Sequence, residues 1–223
     1  MRKLIFLFAL IYATHVEAGG ISGQVTVLKR SGLKPMRNFT GGVVYIKNLQ
    51  SPAPVEPAVM EQKYKKFIPR LLPVVSGQKV RFINSEFIRH NVFSPHPREP
   101  FDLGHYPRGE HKSFWFKELG AHKIYCNIHQ KMVADVFVVP SIYYDLTDAK
   151  GNYKIESVPS GTHTIGVWHI LGGEDEKTVR VEDRDIRLDF TINSHKVIKD
   201  MVRHPNKFGK SYRREYSDDE GKY

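Results

Sequence analysis

Only one cysteine, Cys126, occurs among the 223 residues. No disulfide can therefore close within the chain. Apolar runs are equally scarce. The longest, 4–13, is too short to cross a bilayer as a helix, and nothing after it approaches that length. No stretch beyond the first twenty residues keeps an apolar period near 3.6 for three turns, so long amphipathic helices are not expected. Methionine-rich and histidine-rich tracts are absent. The lysines and arginines are scattered rather than gathered with aromatics into one stripe, which argues against nucleic acid as a partner.

The short apolar run sits after Met1-Arg2-Lys3 and before Val16-Glu17-Ala18, the charged, greasy and small-residue order of a secretory signal peptide. The expectation is a leader over 1–18 and a soluble periplasmic or secreted protein with no membrane span. The formal charge is +10, and +9 once Arg2, Lys3 and Glu17 leave with that leader. Such a balance favours acidic partners or anionic surfaces. Export normally draws cysteines into disulfides. Cys126 is then a buried bystander, half of an intermolecular bridge, or a thiolate held by something else.

The remaining pattern has period two. Runs at 42–47, 78–83, 111–116, 134–139, 153–158 and 162–168 are rich in β-branched and aromatic residues and are bounded by Gly, Pro, Asn or Asp. The fold class expected is all-β. Proline-dense 51–57 and Pro140-Ser141 punctuate the chain. From 195 to 223 charge is dense and apolar residues are sparse, which predicts a mobile tail. Trp168 and Tyr153 fall on strands and are read as core residues.

Around the lone cysteine the spacing is Cys126-x-x-His129-x-x-Met132. Thioether is not a ligand of structural zinc. Thiolate, imidazole and thioether together suit copper, and a trigonal His₂Cys set with a weak axial methionine is the arrangement of one-electron transfer sites. One histidine is still missing. His90, His96, His105, His111 and His122 all lie upstream. His111 and His122 start strands beside lysine and are expected to be solvated. His96 and His105 fall in a Pro- and Gly-dense loop. His90, which follows a strand and precedes Asn91, is preferred by chemistry only modestly over the others.

A resemblance decides between them. The run 67–84, then His90-Asn91, then 120–132 with the strand that follows, resembles a complete cupredoxin of the plastocyanin and amicyanin type across 59–139. The resemblance implies a Greek-key β-sandwich whose type 1 copper is held by His90, Cys126, His129 and Met132, with Asn91 clasping two loops behind the ligands. Ile128 and Gln130 stand where prolines commonly flank the second histidine of amicyanin. The segment 147–168, with 21–27 and 42–47, resembles the opening and middle strands of the carboxypeptidase regulatory-like (transthyretin-related) β-sandwich. The domain expectation is therefore a smaller, discontinuous β-sandwich over 19–57 and 141–194, a cupredoxin over 58–140 inserted in it, and the tail over 195–223.

The resemblance implies an exported carrier of single electrons, with one copper as cofactor and a redox partner, acidic by the charge argument, such as a cytochrome or an oxidoreductase. It is not expected to be an enzyme. Multicopper oxidases need His-x-His pairs and a binuclear purple site needs a second cysteine, and the sequence has neither. The rival readings are a copper buffer or delivery protein, and a glycan- or partner-binding β module in which copper is structural.

Overall fold

The structure is a computed structural model that describes residues 18–196 and 204–212. Among these residues every regular element is a strand. Of the leader expected over 1–18, residues 1–17 lie outside them, as do 197–203 and 213–223 of the expected tail.

The chain opens with β1 (Ala18–Leu28) and β2 (Gly42–Ile46), whose apolar residues alternate inward or pack on both faces. It returns to these two only at its far end, with β12 (Tyr144–Leu146), β13 (Asn152–Pro159), β14 (Gly161–His169), β15 (Glu174–Val181), β16 (Ile186–Arg187) and β17 (Phe190–Asn193). One sheet places β1 between β13 and the pair β16 and β17. The other runs β12-β2-β14-β15. Between them lies a core that includes Ile21, Val25, Ile46, Tyr153, Ile165 and Phe190. Backbones come very close here. A Cβ at Gly23 would fall 2.0 Å from the Leu188 carbonyl oxygen. Gly151, at φ +84°, closes the turn in which Asp148 accepts from the amides of Lys150 and Asn152.

Residues 58–139 form a second pair of sheets. Its strands are β3 (Ala58–Lys63), β4 (Lys66–Ile68), β5 (Leu71–Val75), β6 (Gln78–Asn84), β7 (His90–Ser94), β8 (Phe101–Tyr106), β9 (His111–Phe116), β10 (Gly120–Tyr125) and β11 (Val133–Val139). They order as β4-β3-β6-β9 and β5-β11-β10-β7-β8. The stretch 94–108, for which the sequence indicates no path, supplies β8, which pairs with β7 at the edge of its sheet.

Entry and exit of this segment run side by side. The Ser51 amide donates to the Pro140 carbonyl at 3.2 Å, and the Ile142 amide donates to Ser51 Oγ at 3.0 Å. The two proline-marked stretches of the sequence are thus neighbours in space.

Strand β11 is buried at every residue. Its two faces explain this. Ala134, Val136 and Val138 point into the core that also holds Cys126 and Met132. Phe137 and Val139 pack the other way, against Val43, Tyr45 and Trp168. Trp168 therefore serves between the two sheet pairs, stacked on Phe137 at 4.7 Å. The fully buried Asp135 on this strand is neutralised by Arg70 at 2.5 Å and by Lys123, which is how a carboxylate survives there.

Candidate metal centre

Strand β7 begins at His90, and the loop from β10 to β11 runs from Cys126 to Met132. Sheet pairing sets the two together, since Tyr125 lies opposite Phe93. The loop closes on itself: the Cys126 amide donates to the Met132 carbonyl at 3.2 Å and the Met132 amide to the His129 carbonyl at 3.0 Å. Cys126 Sγ stands 3.9 Å from His90 Nδ1 and 3.7 Å from His129 Nδ1. All three donor atoms lie within 4.8 Å of one another, and no other such group of His, Cys, Asp and Glu exists among the described residues. Met132 is fully buried in the same apolar cluster as Cys126.

Those distances test whether a metal fits. With bonds of about 2.0–2.1 Å to nitrogen and about 2.3 Å to sulfur, a trigonal plane separates sulfur from each nitrogen by about 3.8 Å, and a tetrahedron by about 3.6 Å. The spacings of 3.7 and 3.9 Å are of the size that one shared ion requires.

Protonation favours the same use. Burial pushes the Cys126 thiol up, against backbone hydrogen bonds from Asn91, Ile128 and His129 that lower it. Burial, then the neighbouring His90 and Lys65, brings His129 down to about 4. Burial also lowers His90, outweighing Glu86. Both imidazoles are therefore neutral at pH 7 with lone pairs available, and one thiol proton is all that a metal must displace.

Asn91, which the resemblance implies is a clasp between two loops, is 1% exposed and stands second in β7. Its Oδ1 accepts the Asn127 amide at 3.0 Å, tying β7 to the ligand loop. Behind it, Asn91 Nδ2 donates to Asp102 Oδ1 at 2.6 Å. The other histidines stand apart from the group. His105 and His111 are exposed. His122, expected to be solvated, is instead fully buried: its ring stacks on His96 at 4.0 Å, lies edge-on to Phe116, and has Nε2 2.7 Å from the Glu118 carbonyl. The near-parallel planes of His96 and His122, 20° apart, keep their ring nitrogens from converging on one point.

Two features escape sequence reasoning. Glu86 Oε2 sits 2.8 Å from His90 Nε2 and also accepts the Lys65 amide at 2.9 Å. This carboxylate fixes the ring so that Nδ1 faces the sulfur. The only trace in the sequence is the spacing of four to His90. The second is the tail. Residues 204–212, expected to be mobile, lie against the ligand loop. The buried His204 stacks on Tyr125 at 4.2 Å, and Tyr212 donates to the Cys126 carbonyl at 2.8 Å. Within the expected tail over 195–223, the described stretch 204–212 seats its aromatic residues on Tyr125 and Phe93.

No protein-family model matches the chain, and no curated protein matches it. Among solved structures it is similar to a purple cupredoxin from Nitrosopumilus maritimus, at 22% identity and a TM-score of 0.33, over 36% of this chain and 98% of that one. It is also similar to an amicyanin variant in its reduced Cu(I) form, at 23% identity and a TM-score of 0.36, over 43% of this chain and 97% of that one. Both likenesses span less than half of the chain.

Proposed function

We propose that this chain is an exported type 1 copper protein that carries single electrons between redox partners rather than an enzyme. The observation that carries the reading is the convergence of Cys126 Sγ with the Nδ1 atoms of His90 and His129 at the spacing that one shared ion requires. Copper bound there supplies a Cu(I)/Cu(II) couple. Cys126, His90 and His129 would hold the copper, with Cys126 as the anionic ligand, and Met132, buried in the same cluster, would supply a weak thioether that tunes the potential. The chain's own contribution is rigidity. Asn91 and Glu86 hold the ligands in one geometry for both oxidation states, so little reorganises when the electron moves.

His129 is the least buried of the three and is the exit for the electron. The surface around it suits an acidic redox partner. Lys65 and Lys131 are exposed, and Arg108 lies over the exposed ring of Phe87 at 3.8 Å. Tyr64 and Phe87, 70% and 88% exposed, add apolar contact. Transient redox encounters use such small surfaces with charge steering. We read the flanking sheet pair as a separate module that carries this domain, and the leader as the reason the site works outside the cytoplasm.

Absorption of the oxidised, copper-loaded protein tests the reading. A strong visible thiolate-to-copper band is expected, bleached reversibly by a mild reductant and lost in Cys126→Ser with the β fold intact. A coloured Cys126→Ser protein refutes the ligand assignment, and a band that no reductant bleaches favours a buffer or structural role.

A further inference from the structure

The peptide that joins Cys126 to Asn127 is gripped from two sides. Its N–H, on Asn127, is taken by Asn91 Oδ1 at 3.0 Å. Its carbonyl, on Cys126, is taken by the Tyr212 hydroxyl at 2.8 Å. The first partner comes from strand β7 and the second from a segment 86 residues further along the chain.

The grip closes into a ring. Lys207 donates its amide to Asn127 Oδ1 at 2.9 Å and its ammonium to Asp102 Oδ2 at 2.6 Å. Asp102 Oδ1 in turn receives Asn91 Nδ2. Asp102, Asn91, Asn127 and Lys207 are thereby linked in a cycle of hydrogen bonds, and the two clasps on the loop share Asp102 as their common acceptor. Asp102 shows the result. Burial would raise its carboxyl, yet Lys207, Gly104 and Asn91 together hold it below the ordinary carboxylate range.

The segment is built to hold this position. Asn206 Oδ1 accepts the amides of Phe208 and Lys210, both at 3.0 Å, and the Asn206 amide donates to the Lys210 carbonyl at 2.8 Å, around Gly209 at φ +74°. A turn so stabilised presents Lys207 and Tyr212 at a fixed separation. His204 anchors its start, 3% exposed, stacked on Tyr125 and edge-on to Tyr212 at 5.5 Å.

We propose that segment 204–212 is a second clasp on the metal loop, and that Lys207 and Tyr212 are positioning residues for the centre, acting through the Cys126–Asn127 peptide. Rotation of that peptide would swing Cys126 Sγ out of the plane of its partners. Fixing it from both sides preserves the donor spacing whether or not metal is bound. The inference rests on the proposed metal centre for its purpose, while the clasp itself is a property of the metal-free chain.

The experiment uses the full chain with Tyr212→Phe, Lys207→Ala, the double variant, and Phe208→Ala as a control. Phe208 is on the same turn, 72% exposed. Amide hydrogen exchange at Asn127 and His129 is read in the metal-free protein. One lost hydrogen bond of about 0.5–1.5 kcal/mol corresponds to roughly 2- to 12-fold faster exchange. That acceleration is expected in full for Tyr212→Phe and in smaller measure for Lys207→Ala, which keeps its amide on Asn127 Oδ1 and loses only the ammonium on Asp102, with native exchange for Phe208→Ala. After loading with Cu(II), Tyr212→Phe should keep its colour but shift the band position, and its midpoint potential should fall, because a donor dipole that favours the electron-rich Cu(I) state has been removed. Native exchange at Asn127 in both Tyr212→Phe and Lys207→Ala overturns the proposal, as does equal acceleration in Phe208→Ala. A native protein that gains no colour with copper refutes the proposed function alone, since the exchange arm needs no metal.

Discussion

Glu86→Ala isolates what holds the centre from what binds at it. Glu86 does not belong to the three converging donors, yet its Oε2 lies 2.8 Å from Nε2 of the fully buried His90. Without it, the ring keeps its place in the core but loses the contact that directs Nδ1 towards Cys126. A hydrogen bond to a charged group is worth about 1.5–3 kcal/mol. Removing Glu86 also leaves the buried Nε2 of His90 without its partner, which adds to the loss. The expected loss is therefore roughly 10- to 100-fold in metal affinity, the range found for carboxylates behind ligating histidines. Competition titration with a Cu(I) chelator reads this directly. Glu86→Gln retains one acceptor oxygen and should lose less than about tenfold. The visible band should persist in both variants, since every ligand remains. If Glu86→Ala binds copper within about twofold of native while its thermal stability falls, the carboxylate is a scaffold for the Lys65 turn and the orienting argument fails.

Three further outcomes are expected. His90→Ala should lose the type 1 spectrum while His96→Ala and His105→Ala retain it, and the reverse result at His105 would mean the wrong histidine had been assigned. Burial lowers His90, His122, His129, His169 and His204, with His129 down to about 4. The unfolded chain takes up protons at these rings near 6.5 and the folded chain only at lower pH. Stability of the metal-free protein should thus be flat above neutrality and fall as pH drops from about 6.5 towards about 4. Urea midpoints at about pH 7.5 and about pH 5 check the sign, and equal midpoints would refute it. Finally, Lys131→Glu should slow reduction by an acidic partner protein at low ionic strength without moving the copper spectrum. Stopped-flow rates that are flat across a salt series would mean that docking is apolar.

Period-two runs made the strands legible, because half-buried sheets need alternation. The run 111–116 is the whole of β9, and 78–83 and 134–139 are all but one residue of β6 and β11. The stretch 94–108 was opaque for a physical reason. Strand β8 is an edge strand that alternates only briefly, with Phe101 and Leu103 on the core and Asp102 exposed, before Gly104 at φ +67° interrupts the period ahead of the buried Tyr106. His122 misled for a different one. It stands beside Lys123, and such a neighbour ordinarily marks a solvated strand. Here Lys123 is itself drawn inward to Asp135, while His122 faces the opposite side and packs on Phe116.

Of the three converging donors, Cys126 and His129 stood out in the sequence because they lie with Met132 within seven residues, while His90 rested on the resemblance. What supports them was not legible, since hydrogen-bond partners obey no spacing. Glu86 acts on His90 across a turn, Asp102 on Lys207 across 105 residues, and Tyr212 on Cys126 across 86. In composition the tail reads as solvent-facing because charge dominates it. Among its described residues a histidine and a tyrosine dock by their rings, each with an apolar face to bury and a polar atom to satisfy, and Lys207 docks by hydrogen bonds to Asn127 and Asp102. A segment can therefore look disordered in sequence and still be fixed against a site, provided that its few aromatic residues meet an aromatic surface. Tyr125 and Phe93 provide that surface beside Cys126, so the same sheet pairing that brings His90 to the loop also creates the seat for His204.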